Sequence, residues 1–428
     1  MYLKDKGPSG YSIDNPEVFL SREAIDRRRK ENIPLDESDL PIAPSYLDTL
    51  ASLGAKPVVA SKWFATVVVE CEDSMLVRRL QNLSIVDSVK WVWKGERNTP
   101  PAAPPDTSRL VPAEKPQNTT YGYAETQIGM LNGIRLHEEG YRGKGMRIAV
   151  IDAGFMNADR MAVFDSLDLK GTYNAVSPGE SVFLDDEHGT KVLSCLAANA
   201  PGLMVGTAPE ASYWLIKSED GRSEYPIEED YWTAAVEFAD SAGVQVISSS
   251  LGYFSFDEKE LSYHPSMLDG KTALISLAAG KAAGKGLLLF ISAGNEGSGS
   301  WEKLTFPSDA GDVLTVGSVT ENKVRSAFSS VGFTADARVK PDVVALGTNC
   351  TVVDSSGSIR YASGTSFSTP IVAGLGICLW QALPQLNNLE IISRIQHASS
   401  QYHQPDAELG YGIPDLYQAL KQKQQDGD

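Results

Sequence analysis

Between residues 147 and 319 the chain repeats one pattern, a short apolar run that stops at a small or polar turn. Residues 147–151 end at Asp152-Ala153-Gly154, 244–250 at Leu251-Gly252, and 286–292 at Ala293-Gly294-Asn295. Residues 212–217 and 313–319 are two further runs. Helical stretches at 189–198, 228–242, 272–283 and 369–382 separate or follow them. Strands alternating with helices predict an α/β fold, a parallel sheet with helices on both faces. In such a sheet ligands bind beyond the carboxyl ends of the strands. The glycine-bearing polar turns collect at those ends.

Ahead of this region, residues 97–118 hold six prolines and almost no large apolar side chains. Such a segment cannot bury enough surface to fold alone, so residues 97–120 read as a linker between a domain at 1–96 and a domain at 121–428. In the first domain a strand at 1–4 is followed by a charged segment at 16–30 and a helix at 43–53. Strands at 56–60 and 63–69, with a turn at Ser61-Lys62, precede a helix capped by Asp73-Ser74, whose Met75, Leu76, Val77, Leu80 and Leu83 are expected on one side. A strand at 86–93 closes the unit. This β-α-β-β-α-β order predicts a ferredoxin-like α+β sandwich.

The formal charge of −17 argues against nucleic acid and anionic membrane surfaces as partners. The longest mostly apolar stretch, 371–383, is shorter than the roughly 18 residues a membrane span requires. Cys71, Cys195, Cys350 and Cys378 lie far apart, with neither a CxxC pair nor a zinc-type cluster, and read as free thiols. Met1 is followed at once by Tyr2-Leu3-Lys4-Asp5, which is not a secretory leader, so the expectation is an intracellular protein or one whose leader has been removed. The Gly/Lys stretches at 140–145 and 280–285 lack the GK[ST] ending of a phosphate loop.

Three residues can carry chemistry together. Ser366, in Gly364-Thr365-Ser366-Phe367-Ser368-Thr369-Pro370, stands between a glycine turn and a buried helix, where free N–H groups favour negative charge. By itself it suits an N-cap as well as a nucleophile. A serine nucleophile needs a base, and of five histidines only His188, in Glu187-His188-Gly189-Thr190, opens a helix beside a glycine. His137, His264, His397 and His403 read as solvated surface residues. Asp152 ends a strand, where a carboxylate can orient an imidazole or merely cap a turn.

Taken together, Asp152, His188 and Ser366 follow the chain order of the subtilisin triad. The successive motifs Val150-Ile151-Asp152-Ala153-Gly154, His188-Gly189-Thr190, Ser250-Leu251-Gly252, Ala293-Gly294-Asn295 and Gly364 to Pro370 resemble the signatures of the subtilisin-like serine proteases across about residues 121–424. The resemblance implies a three-layer subtilisin-like fold and a serine endopeptidase in which Ser366 attacks, His188 is the base and Asp152 orients it. It implies Asn295 as an oxyanion-hole donor, Ser250, Leu251 and Gly252 as the substrate-lining strand, Ala293 and Gly294 as a wall of the specificity pocket, and Thr305 as its shortened floor. The resemblance further implies that residues 1–96 are an inhibitory prodomain acting in cis, with a processing site in the linker beyond Trp93. Substrates would be peptides or proteins, and export from the maker cell is expected of a protease made with its inhibitor.

This chain departs from the family where Lys191-Val192-Leu193-Ser194 replaces the usual His-Val-Ala-Gly continuation. The loop at 199–203, a calcium site in many relatives, offers little side-chain oxygen beyond Asn199. No cofactor is expected, and a structural calcium has no support. The competing expectation is a catalytically silent fold of this type, kept for binding and locked by its prodomain. The esterase motif GxSxG does not occur around Ser366.

Overall fold

The computed structural model describes residues 1–71, 73–94 and 119–422. The expected processing site, beyond Trp93 and within the linker, lies almost wholly outside them.

The N-terminal unit comprises β1 (Tyr2–Leu3), α1 (Arg22–Lys30), α2 (Pro44–Ser52), β2 (Lys56–Ser61), β3 (Thr66–Glu70), α3 (Ser74–Gln81) and β4 (Val86–Ser88). Its four strands pair antiparallel in the order β2-β3-β1-β4, so the first strand lies inside the sheet. Leu3, Leu50, Val67, Leu76, Leu80 and Val86 form its core. Three local expectations need correction. Met75 is 69 % exposed, because α3 buries only Leu76 and Leu80. Trp63 belongs to the β2–β3 turn and is buried against the second domain. The closing strand stops at Ser88, after which the chain leaves the sheet and Val92 O accepts a hydrogen bond from Ile227 N–H at 3.0 Å.

The second unit is built on seven parallel strands, β5 (Arg147–Asp152), β6 (Asp168–Asn174), β7 (Ser212–Lys217), β8 (Val246–Ser249), β9 (Leu288–Ser292), β10 (Leu314–Val319) and β11 (Val343–Leu346). Their order is β11-β10-β9-β8-β5-β7-β6. Side chains alternate across the sheet. Ile148 and Val150 of β5 pack with α4 (His188–Ala197) and α7 (Thr365–Ala382), while Ala149 and Ile151 face α5 (Ile227–Ser241) and α6 (Leu274–Gly284). Burial on both faces is why these strands read as continuous apolar runs. The order of strands reverses between β5 and β8, the switch point at which a crevice opens beyond the strand ends.

Val59, Trp63 and Val68 of the N-terminal unit share a core with α5 and α6. Beside this apolar contact lies a buried ion network. Asp240 accepts hydrogen bonds from Arg27 and from Arg28, at 2.7 Å for the latter, and Lys285 donates to Asp39 at 2.7 Å. All five side chains are nearly inaccessible to solvent. Desolvation offsets much of the Coulomb gain of such a network, but losing one partner strands the others. Glu237 of α5 accepts from Ser61 Oγ and from the backbone N–H groups of Lys62 and Trp63, at 2.9 and 3.0 Å for the latter two.

Among the described residues no helix is long and apolar enough to cross a membrane. Cys195, Cys350 and Cys378 are buried free thiols, and Cys71 is half-buried. His137 is no surface residue. It is buried between Tyr121 Oη and Thr207 O, each at 3.0 Å, and burial pushes its pKa down to about 4.

Candidate active site

Beyond the carboxyl ends of β5, β8 and β9 lies a cleft of about 340 Å³. Asp152 is the last residue of β5 and wholly buried. Its Oδ1 lies 2.7 Å from His188 Nδ1 and accepts the Ala153 N–H at 2.8 Å. His188 is the first residue of α4, where Asp186 Oδ1 accepts its backbone N–H at 2.6 Å. A third of the side-chain surface of His188 is open to the cleft. Its ring also packs at 5.9 Å from Phe367. Burial opposes the charged imidazole, but the charge and hydrogen bond of Asp152, with Glu219 and Asp186 nearby, outweigh it and raise the pKa to about 9.

Ser366 occupies the second position of α7, a helix buried from Thr365 to Trp380. Its Oγ lines the same cleft as His188 and points to Ser250 O at 3.4 Å. Among the described residues no hydrogen bond joins it to His188. Pro370 stands inside the helix and has no N–H to give the Ser366 carbonyl four residues earlier. Ser250 Oγ supplies the missing donor at 2.8 Å. Sequence reasoning missed this bond, although a proline four residues after the candidate nucleophile was its visible signal.

Asn295 follows β9. Its Oδ1 accepts both the Thr365 N–H, at 2.9 Å, and the Thr365 hydroxyl, at 3.0 Å. That fixes the orientation of the amide, and Asn295 lines the cleft together with Ser366. Among the described residues neither Asn295 Nδ2 nor the Ser366 N–H has an acceptor.

The other expected residues border the same cleft, with Ser250, Leu251 and Gly252 along one side, Gly294 along another and Thr305 between. Ala293 is buried behind Gly294, where its C=O accepts the Thr305 N–H at 3.1 Å. Gly294 has φ +104°, and a Cβ there would come within 2.8 Å of Thr305 Cγ2. A Cβ on Gly252 would meet Thr305 Oγ1 at 2.2 Å. Thr305 therefore fills the gap between the two walls.

The departure at 191–194 also has a physical outcome. Lys191 pairs with Glu187 one turn back, and Ser194 Oγ accepts the Val353 N–H at 2.9 Å. In the loop at 199–203, Asn199 donates its side-chain amide to Ser166 Oγ at 2.9 Å.

Residues 143–412 match the model of the subtilase family, Peptidase S8, and residues 1–106 match that of the Peptidase S8 propeptide domain of Bacteroidota. The chain belongs to the subtilase family. This subtilase is 29 % identical over 293 residues to subtilisin NAT of Bacillus subtilis subsp. natto, covering 67 % of this chain and 68 % of that one. It is 30 % identical over 290 residues to subtilisin DY of Bacillus licheniformis, covering 66 % and 92 %. Among solved structures it is similar in fold to MycP1 of the ESX-1 type VII secretion system, with a TM-score of 0.55 at 22 % identity, covering 77 % of this chain and 96 % of that one. The prenylagaramide maturation protease PagA gives 0.55 at 21 %, covering 68 % and 97 %. The subtilase is accordingly a serine endopeptidase that acts on peptides or proteins and carries its own propeptide domain.

Proposed function

We propose that this subtilase cleaves peptide bonds through Ser366, His188 and Asp152 and that residues 1–96 hold it inactive until the linker is cut. The 2.7 Å contact between His188 Nδ1 and Asp152, at the edge of the cleft that Ser366 lines, is the observation that carries the reading.

Rotation of Ser366 Oγ from Ser250 O toward His188 Nε2 prepares the attack. Oγ bonds to the substrate carbonyl carbon as its proton passes to Nε2, and the carbonyl oxygen becomes an oxyanion held by the Ser366 N–H and Asn295 Nδ2. The C–N bond then breaks, the amine leaves with the proton from Nε2, and an acyl ester on Ser366 remains. Water, deprotonated by His188, attacks that ester and frees the carboxylate, returning the proton to Ser366. Asp152 stays ionised throughout and holds the imidazole in the tautomer that exposes Nε2. An extended substrate pairs with the backbone of residues 250–252. Thr305, set between Gly252 and Gly294, limits the specificity pocket to small side chains.

The inhibitory role of the N-terminal unit draws support from its exit path. Val92 is bonded to Ile227, Trp93 packs at 6.3 Å from Tyr225, and Lys94 Nζ lies 2.6 Å from Glu258. An inhibitor attached to its enzyme suits a protease exported before use.

Mass spectrometry of the purified chain over time tests both claims. The wild type is expected to shorten by a cut within the linker at 97–120 and then to label at Ser366 with a fluorophosphonate, while Ser366→Ala does neither. Persistence of the full-length wild type without labelling would favour a silent binding protein locked by its prodomain.

A further inference from the structure

One wall of the cleft, beside His188, carries a cluster of carboxyl groups that the mechanism does not use. Glu219, in the turn after β7, lines the cleft together with His188 and Ser366. Among the described residues its carboxylate has neither a hydrogen bond nor an ion pair. The cations of the same turn are engaged elsewhere, Lys217 with Asp185 and Arg222 with Asp220. Behind Glu219 stands Glu228, 1 % exposed, whose Oε1 accepts the Asp220 N–H at 3.0 Å while Oε2 is buried without a partner. Glu224 completes the group.

We propose that Glu219, backed by Glu224 and Glu228, is a cation subsite that receives a Lys or Arg side chain of the substrate, at the residue immediately before the one whose carbonyl is attacked. This rests on the proteolytic reading above. Successive side chains of an extended peptide point to opposite sides. When the residue at the cleaved bond enters the gap at Thr305, its N-terminal neighbour turns toward His188 and Glu219. Burial, with the Glu224 charge adding to it, raises Glu219 to about 8 and Glu228 to about 10, and burial with the Asp257 charge raises Glu224 to about 7, as expected of a site short of positive charge.

The protein's own chain supplies a second pointer. The segment that leaves the N-terminal unit brings Lys94 to Glu258, on the loop whose Asp257 N–H is bonded to Glu224 O at 2.9 Å. A cationic side chain already approaches this acidic edge. A metal ion suits the site less well. Among the described residues no group of three or more His, Cys, Asp or Glu side chains is placed to hold one.

The test uses the full chain after it has processed itself, with its active fraction counted by fluorophosphonate labelling. Peptides identical except for Lys, Arg, Leu, Gln or Glu at the residue in question are compared by kcat/KM. Lys and Arg are expected to exceed Leu by about tenfold, a difference of about 1.4 kcal/mol in transition-state binding, with Glu the poorest. Glu219→Gln should bring the Lys-to-Leu ratio close to one, and Glu219→Lys should turn the preference toward Glu. An active wild type that cuts the five peptides equally, or a Glu219→Gln enzyme that keeps the ratio, overturns the inference and leaves the protease standing. Loss of the preference on adding EDTA would assign the subsite to a metal and likewise overturn it. Absence of both labelling and cleavage would instead refute the proteolytic reading, and this inference with it.

Discussion

Ser250 donates its hydroxyl to the backbone carbonyl of Ser366 across 2.8 Å, filling the place that Pro370 vacates in the helix ladder. The bond ties the end of β8 to the first turn of α7 and fixes the backbone that presents Ser366. Ser250→Ala leaves a buried carbonyl without a donor, a cost of about 1–3 kcal/mol. Thermal unfolding should register that loss, and kcat should fall by more than KM rises, because it is the proposed nucleophile and not the substrate that loses its support.

Asp152 and His188 set opposite pH trends for activity and stability. In the proposed mechanism catalysis needs the neutral imidazole, so with a pKa raised to about 9 the acid limb of kcat/KM should lie well above the ordinary imidazole value of 6.5. For stability the sign is reversed. A folded-state pKa raised from 6.5 to about 9 contributes stabilisation that is full below pH 6.5 and disappears as the pH rises through about 9. Asp152→Asn should flatten that part of the Tm profile and lower kcat by about 10⁴. A wild-type limb near pH 6.5 would contradict the electrostatic assignment.

Thr305 closes the space between Gly252 and Gly294. Thr305→Gly removes the methyl and the hydroxyl that fill it. The ratio of kcat/KM for Phe over Ala at the cleaved residue should rise by about tenfold or more, in line with the 1–3 kcal/mol of a pocket methylene. A cleavage profile of the wild type already dominated by Phe or Tyr would sink the pocket assignment.

Asp240 holds the guanidinium groups of Arg27 and Arg28 from across the domain boundary. Asp240→Ala leaves two buried cations short of a partner and should weaken the association by about 3–5 kcal/mol. Faster dissociation of the cut N-terminal unit, followed by gel filtration of the processed protein, measures it. Arg27→Met with Arg28→Leu in the same background should restore part of the affinity, because the stranded charges are then removed.

The central sheet was legible because a strand buried on both faces is written as an uninterrupted apolar run, and β5, β7, β8, β9 and β10 lie within about two residues of where those runs fall. Strands β6 and β11 were not. Strand β11 is a run of only four residues, Val343–Leu346, and β6 lies at the sheet edge with Asp168, Leu169, Lys170 and Thr172 exposed, so no apolar run marks it. Asp152, His188 and Ser366 could be singled out in the sequence because each stands within two residues of a glycine at an element boundary. Glu219 was invisible, since an isolated glutamate in a polar turn gains its meaning from His188, Glu224 and Glu228, which only the fold brings near. Residues 89–93 misled because Val89, Trp91, Val92 and Trp93 look like a strand, yet Val89 packs on its own domain's core, Trp91 is half exposed, and Val92 and Trp93 make their contacts with the partner domain.

The network of Arg27, Arg28, Asp39, Asp240 and Lys285 has one more implication. None of its members lies near the linker in sequence, and a break anywhere between residues 97 and 120 leaves every one of these contacts intact. Under the proposed zymogen reading, severing the chain and releasing the enzyme are thus separate events, and the second runs on a clock set by how long two folded pieces stay together after the bond that joined them is gone.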